Sequence, residues 1–201
     1  MCSSDLLYAA KNGGRGAFRF YSADLRDEKE ERALIEADLA SALAAAEAGD
    51  PALGMHYQPV VRTADNVVVA FEALMRWDHP ERGPLEPELF IPIAEETGLI
   101  ERLGAWSLRR ACADAALWPA TVRVGVNVSA VQFSRPGFAA MVADALAETG
   151  LVPERLELEL TESIFTGDSE TVEAVFAELK ALGVRLALDD FGTGYSSLGY
   201  L

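Results

Sequence analysis

Six polar residues carry the chemical signal of this chain, each set in or just after a short apolar run. Glu72 stands in Phe71-Glu72-Ala73-Leu74, and Asn127 closes Val124-Gly125-Val126-Asn127. Glu159 sits in Leu158-Glu159-Leu160 with Glu162 just beyond, and Asp189 and Asp190 follow Leu186-Ala187-Leu188 directly. If the runs are strands, separate strands deliver acidic or amide oxygens to one rim. Carboxylates held together repel one another and lose hydration, and a cation compensates for both. Oxygen-only donors suit hard Mg²⁺ or Mn²⁺ rather than zinc. Adjacent aspartates at a strand end, where the backbone turns, would serve two ions. A two-ion centre suits in-line attack of water on a phosphodiester: one ion lowers the pKa of the water and the other stabilises the leaving oxygen. Any one of these acids alone reads more simply as a helix cap or a surface charge. Their recurrence at successive strand ends reverses that reading.

The elements that must position these groups follow from periodicity. Residues 55–61 and 67–74 read as strands joined by a turn at 63–66. Helices are expected at 87–95, 100–118, 137–148 and 169–182, alternating with strands at 122–128, 156–160 and 184–188. The later strands look apolar on both faces, as strands do when helices cover them or when they fill a barrel interior. Such alternation predicts parallel β/α units, and in a parallel barrel the active site gathers at the C-terminal strand ends. The expected fold is therefore α/β: an incomplete TIM-like barrel preceded by an N-terminal linker helix. That helix covers about residues 24–48, with Leu25, Ala33, Leu34, Ala37, Leu39 and Leu43 near helical spacing. Asp27, Glu28, Glu30 and Glu31 suit its N-terminal end through the helix dipole, and Gly49-Asp50-Pro51 stops it. Its charge run reads as a solvated face.

Half of the 201 residues are hydrophobic, and the net charge is −15. So acidic a chain is a poor ligand for nucleic acid or an anionic membrane, and direct DNA binding is not expected. A small anionic ligand remains compatible, because metal ions reverse the local field within one cleft. Cys2 and Cys112 fit no metal-ligand spacing and read as reduced thiols of a cytoplasmic protein. No stretch approaches the roughly 18 apolar residues of a membrane span. A membrane segment of the parent protein would lie outside this piece. His79, in Asp78-His79-Pro80, reads as a turn residue, and Trp77, Trp106 and Trp118 read as core.

Ordered motifs then point to a family. The segments Glu72-Ala73-Leu74-Met75-Arg76-Trp77, Phe90-Ile91-Pro92-Ile93-Ala94-Glu95, Val126-Asn127-Val128-Ser129 and Glu159-Leu160-Thr161-Glu162-Ser163 resemble the EAL domain, as does the run from Asp189 through Phe191-Gly192-Thr193-Gly194 to Leu198. That family consists of cyclic-di-GMP phosphodiesterases, which linearise the dinucleotide to pGpG. The resemblance implies that Glu72, Asn127, Glu159 and Asp189 are metal ligands, with Asp190 serving a second Mg²⁺ or Mn²⁺. It implies that Glu162 steadies the loop after Asp190, that Arg76 contacts a substrate phosphate, and that Gln58, in Tyr57-Gln58-Pro59, also contacts substrate. It further implies a homodimer in the intact protein. A catalytically degenerate domain that senses cyclic-di-GMP without cutting it is the alternative.

Residues 4–16 resemble the closing segment of a GGDEF, or diguanylate cyclase, domain, without that family's signature loop. The expected organisation is a GGDEF-like remnant at 1–23, a linker helix at 24–50 and an EAL-like domain at 51–201, with sensor domains possible upstream. A β/α barrel takes about 250 residues. The stretch after the linker is therefore expected to be a truncated domain, lacking a lysine and a further glutamate of the family, and inactive alone.

Overall fold

Alternation along each strand sets the architecture, because successive side chains face opposite sides of a sheet. The computed structural model describes residues 23–166 and 169–189. The GGDEF-like segment, Cys2, Asp190 and the loop that follows it lie outside the described residues, Ala23 apart.

In β4 (Arg123–Val128), Val124, Val126 and Val128 are buried, while Gly125 and Asn127 take the other face. In β5 (Leu156–Thr161), Leu156, Leu158 and Leu160 are buried, and Glu157 and Glu159 alternate with them. The later strands are thus not apolar on both faces, as the sequence reading expected. Short, valine- and leucine-rich runs hide an alternation in which only one face meets helices, and the opposite face is polar or small.

The strands form a mixed sheet in the order β1-β2-β4-β5-β6. β1 (Leu53–Arg62) and β2 (Val67–His79) make an antiparallel hairpin, and a short β3 (Gly83–Leu85) pairs with the far end of β2. Asn66 takes φ 56° in the turn, a left-handed conformation that asparagine tolerates. Asp65 Oδ1 accepts hydrogen bonds there from Arg62 Nε at 2.9 Å and from the Val67 N–H at 3.3 Å. From β2 onward the pairings are parallel, β2 with β4, β4 with β5, and β5 with β6 (Arg185–Asp189). Among the described residues the sheet is open, with β1 and β6 at its edges. It is a partial TIM-like barrel.

The crossovers supply the helices. α2 (Pro87–Thr97) and α3 (Ile100–Ala116) join β2 to β4 by way of β3, and α5 (Phe138–Thr149) follows a one-turn α4 (Ala130–Phe133). α6 (Ser169–Leu182) leads to β6. Val124, Leu156, Leu158 and Leu160 pack with Leu108, Cys112, Val142 and Leu179 from the helices in one core. Cys112 is a free thiol within it, and burial pushes it up to about 12, so it acts as a small hydrophobe rather than a nucleophile.

The N-terminal helix, α1 (Ala23–Glu47), belongs to a second core. Ile35, Leu39, Leu43 and Ala46 pack with Leu53, Trp77, Phe90, Ile93, Ala94, Ile100 and Leu103. The expected register was partly wrong: Leu34 is 57% exposed, while its neighbour Ile35 is buried. An alanine-rich helix buries little area per residue, so its sequence periodicity is weak, and the facing helices decide which stripe turns inward. Polar clasps flank that stripe, Glu31–Arg82 at 2.7 Å, Arg32–Glu96 at 2.7 Å and Glu47–Arg102 at 2.6 Å. No described helix is long and apolar enough to cross a membrane.

Candidate active site

The face of the sheet that no described helix covers carries two polar layers. In the lower one Glu157 Oε2 lies 3.2 Å from Arg185 Nε and 3.8 Å from Arg123 Nε. Above it, toward the C-terminal strand ends, lie Glu72, Asn127 and Glu159. The parallel register sets Gly125 beside Glu72 and Glu159 beside Asn127. Asn127 donates from Nδ2 to Glu72 Oε1 at 2.8 Å. This bond settles the amide orientation and leaves its Oδ1 able to face a cation.

Gly125 is the residue that the sequence reading missed. A Cβ at this position would collide with Oε1 of Glu159, so the carboxylate leans across the strand over a bare backbone. Glycine weakens a strand interior, and its presence in Val124-Gly125-Val126 was the available signal.

Glu72 does not lie near the end of its strand, contrary to expectation. β2 continues to His79. What ends near Glu72 is the parallel ladder, whose last step pairs Ala73 with Val126. Beyond it β2 leaves the barrel wall as a ribbon with β1 and β3. Gln58 faces Glu72 directly across the hairpin. Arg76 lies further along the same face of β2, and its Nη1 donates to the Met75 carbonyl at 2.9 Å. Among the described residues no ion pair engages its guanidinium.

Asp189 is the last residue of β6 and pairs in register with Thr161. Glu162 opens the 3-10 turn that follows β5. The side chains of both lie outside the described residues, as does Asp190. Within the described part, no three His, Cys, Asp or Glu side chains converge; the cluster there is two carboxylates and an amide. These are all-oxygen donors, and such a set fits a hard divalent cation. An apolar cleft of about 300 Å³, lined by Phe176, Ala177, Lys180, Val184 and Leu186, shares no residue with this cluster.

The remaining polar candidates have structural duties. His79 is buried; its Nδ1 accepts from the N–H groups of Glu81 and Arg82, both at 3.1 Å, so Nε2 carries the hydrogen given to Asp38 at 3.0 Å. It pins the turn after β2 and ties it to α1. Trp77 is buried in the second core, and Trp106 and Trp118 pack against the two cores.

A partial β/α barrel with carboxylate and amide oxygens on the open face of its parallel strands defines the class. The chain belongs to the EAL domain family, which matches it over residues 38–201. It is 50% identical over its whole length to an uncharacterized signaling protein of Caulobacter vibrioides, covering 24% of that protein. It is 39% identical, over 97% of its length, to the bifunctional diguanylate cyclase/cyclic di-GMP phosphodiesterase MucR of Pseudomonas aeruginosa, covering 28% of it. The chain thus spans about a quarter of the length of these relatives. Among solved structures, the PaMucR phosphodiesterase in complex with c-di-GMP superposes with a TM-score of 0.76 at 40% identity, over 83% of this chain and 67% of that one.

Proposed function

We propose that the full-length protein hydrolyses one phosphodiester bond of cyclic-di-GMP to give linear pGpG. The observation that carries this reading is the Asn127–Glu72 hydrogen bond. It joins two neighbouring strands on the polar face of an EAL-family barrel, with Glu159 in register beside Asn127. Glu72, Asn127, Glu159, Asp189 and Asp190 would hold two Mg²⁺ or Mn²⁺ ions, which when bound activate water and stabilise the leaving oxygen. Arg76 binds a phosphate of the dinucleotide, a task that suits a guanidinium fork, and Gln58 contacts the substrate from the opposite strand of the hairpin. Glu162 steadies the loop that follows Asp190.

The relatives' similarity extends upstream of residue 38, and one of them is a bifunctional cyclase/phosphodiesterase. Both facts support a cyclase-type domain before α1 in the parent protein. We assign the protein to the cytoplasm, as a homodimer in its intact form. The 201-residue chain alone is proposed to be inactive, because its described strands leave the barrel open beside the cluster.

The test is product formation. The full-length protein, incubated with cyclic-di-GMP and Mg²⁺ or Mn²⁺, is expected to release pGpG, resolved by anion-exchange chromatography. Glu72→Ala should reduce turnover by at least about a thousandfold, by removing a charged ligand from the reacting centre. Binding of cyclic-di-GMP without product would replace the enzyme by a sensor. Neither binding nor product would refute both.

A further inference from the structure

Glu95 has no place in the acid–amide cluster, yet it grips the segment that carries Asn127. β4 ends at Val128, and Ser129 caps the short helix α4, accepting a hydrogen bond at Oγ from the Val131 N–H at 3.2 Å. The same hydroxyl donates to Glu95 Oε1 at 2.6 Å. A carboxylate acceptor makes such a bond stronger than a neutral pair.

Two more contacts fasten this segment to the corner between α2 and α3. Gln132 is buried, and its amide fills the space that a side chain at Gly104 would occupy. Arg135 pairs with Glu101 at 2.8 Å. Phe133 is fully buried, and its N–H donates to the Ser129 carbonyl at 2.9 Å. The clasp therefore begins two residues after Asn127.

We infer that Glu95 is a positioning residue for Asn127. By holding Ser129 it fixes the end of β4, and with it the aim of the Asn127 amide toward Glu72 and a bound cation. This inference rests on the reading of Asn127 as a cation ligand.

Direct Mn²⁺ binding to the full-length protein tests it, measured as loss of the free-ion EPR signal. Glu95→Ala and Ser129→Ala are each expected to weaken Mn²⁺ binding about tenfold, the effect typical of losing an outer support of a metal ligand. Combining them should add little, because the two side chains share one bond. Glu95→Gln keeps the acceptor and should restore affinity to within about threefold of wild type. In hydrolysis, kcat should fall while KM stays nearly constant. A Glu95 that merely supports the fold would lower the thermal midpoint and leave Mn²⁺ affinity unchanged, which overturns the inference. Should Glu95→Ala fail to fold, Ser129→Ala alone decides, and unchanged affinity there overturns it equally. Wild-type protein that binds no Mn²⁺ would overturn the cation reading and this inference together.

Discussion

Asn127 gives its amide N–H to Glu72, and that bond lets an amide sit beside a carboxylate without repulsion. Asn127→Asp removes the donor and sets two like charges at hydrogen-bond distance. We expect the metal-free variant to lose about 0.5–1 kcal/mol, and Mg²⁺ to return most of it. Urea unfolding with and without EDTA measures both. Tyr57 offers a test on the helix-covered side of the sheet. Its hydroxyl donates to Asp114 Oδ2 at 2.6 Å, and burial first, then that carboxylate, raise its pKa above the ordinary value of 10.0. A folded-state pKa above the unfolded one gives stability that is complete below pH 10 and fades as pH rises past it. Tyr57 should ionise above the ordinary tyrosine range in an alkaline absorbance titration, a late step that Tyr57→Phe removes. That Glu72, Asn127 and Glu159 gather on one polar face of the sheet was legible in the sequence, because polar residues interrupt apolar runs. Gly125, Glu157 and Arg123 were not, since what matters about them is a neighbour on another strand.

At the scale of elements, α1 shows where periodicity is informative and where it fails. Its extent was readable from the acidic start and the Gly49-Asp50-Pro51 stop, and so were Leu39 and Leu43 of its buried stripe, whereas Ala33, Leu34 and Ala37 face outward and Ile35 and Ala46 turn in. Two substitutions separate the stripes. Leu39→Ala should cost about 2–5 kcal/mol, since Leu39 is fully buried between α1 and the α2–α3 pair. Leu34→Ala, on the exposed side, should stay within about 0.5 kcal/mol. Chemical denaturation curves distinguish them. β2 shows the opposite failure: the sequence placed Glu72 near the end of a strand expected to stop at Leu74. Pairing with β1 and β3 carries the strand on to His79, and no local pattern announces partners that lie on either side in space.

For the whole molecule, charge is the governing quantity. A net charge of −15 on 201 residues makes the folded state repel itself and repel anionic ligands. Raising NaCl from low ionic strength should therefore raise the thermal midpoint of the metal-free protein, by screening that repulsion. Under the proposed function, cyclic-di-GMP binding to the full-length protein, followed by calorimetry, should need Mg²⁺ or Mn²⁺ and vanish in EDTA; equal affinity in EDTA would show that Arg76 and its neighbours suffice without cations. The hairpin turn at 63–66 has a consequence for assembly. β1 and β2 need close only a short local loop, an event of about 1–10 µs, whereas the Asn127–Glu72 bond spans 55 residues and waits for β4 to dock. Gln58 and Glu72 are thus expected to face each other before Asn127 and Glu159 arrive. A lesion in this turn would therefore delay maturation of the site as well as loosen it, and its imprint would fall on the folding rate.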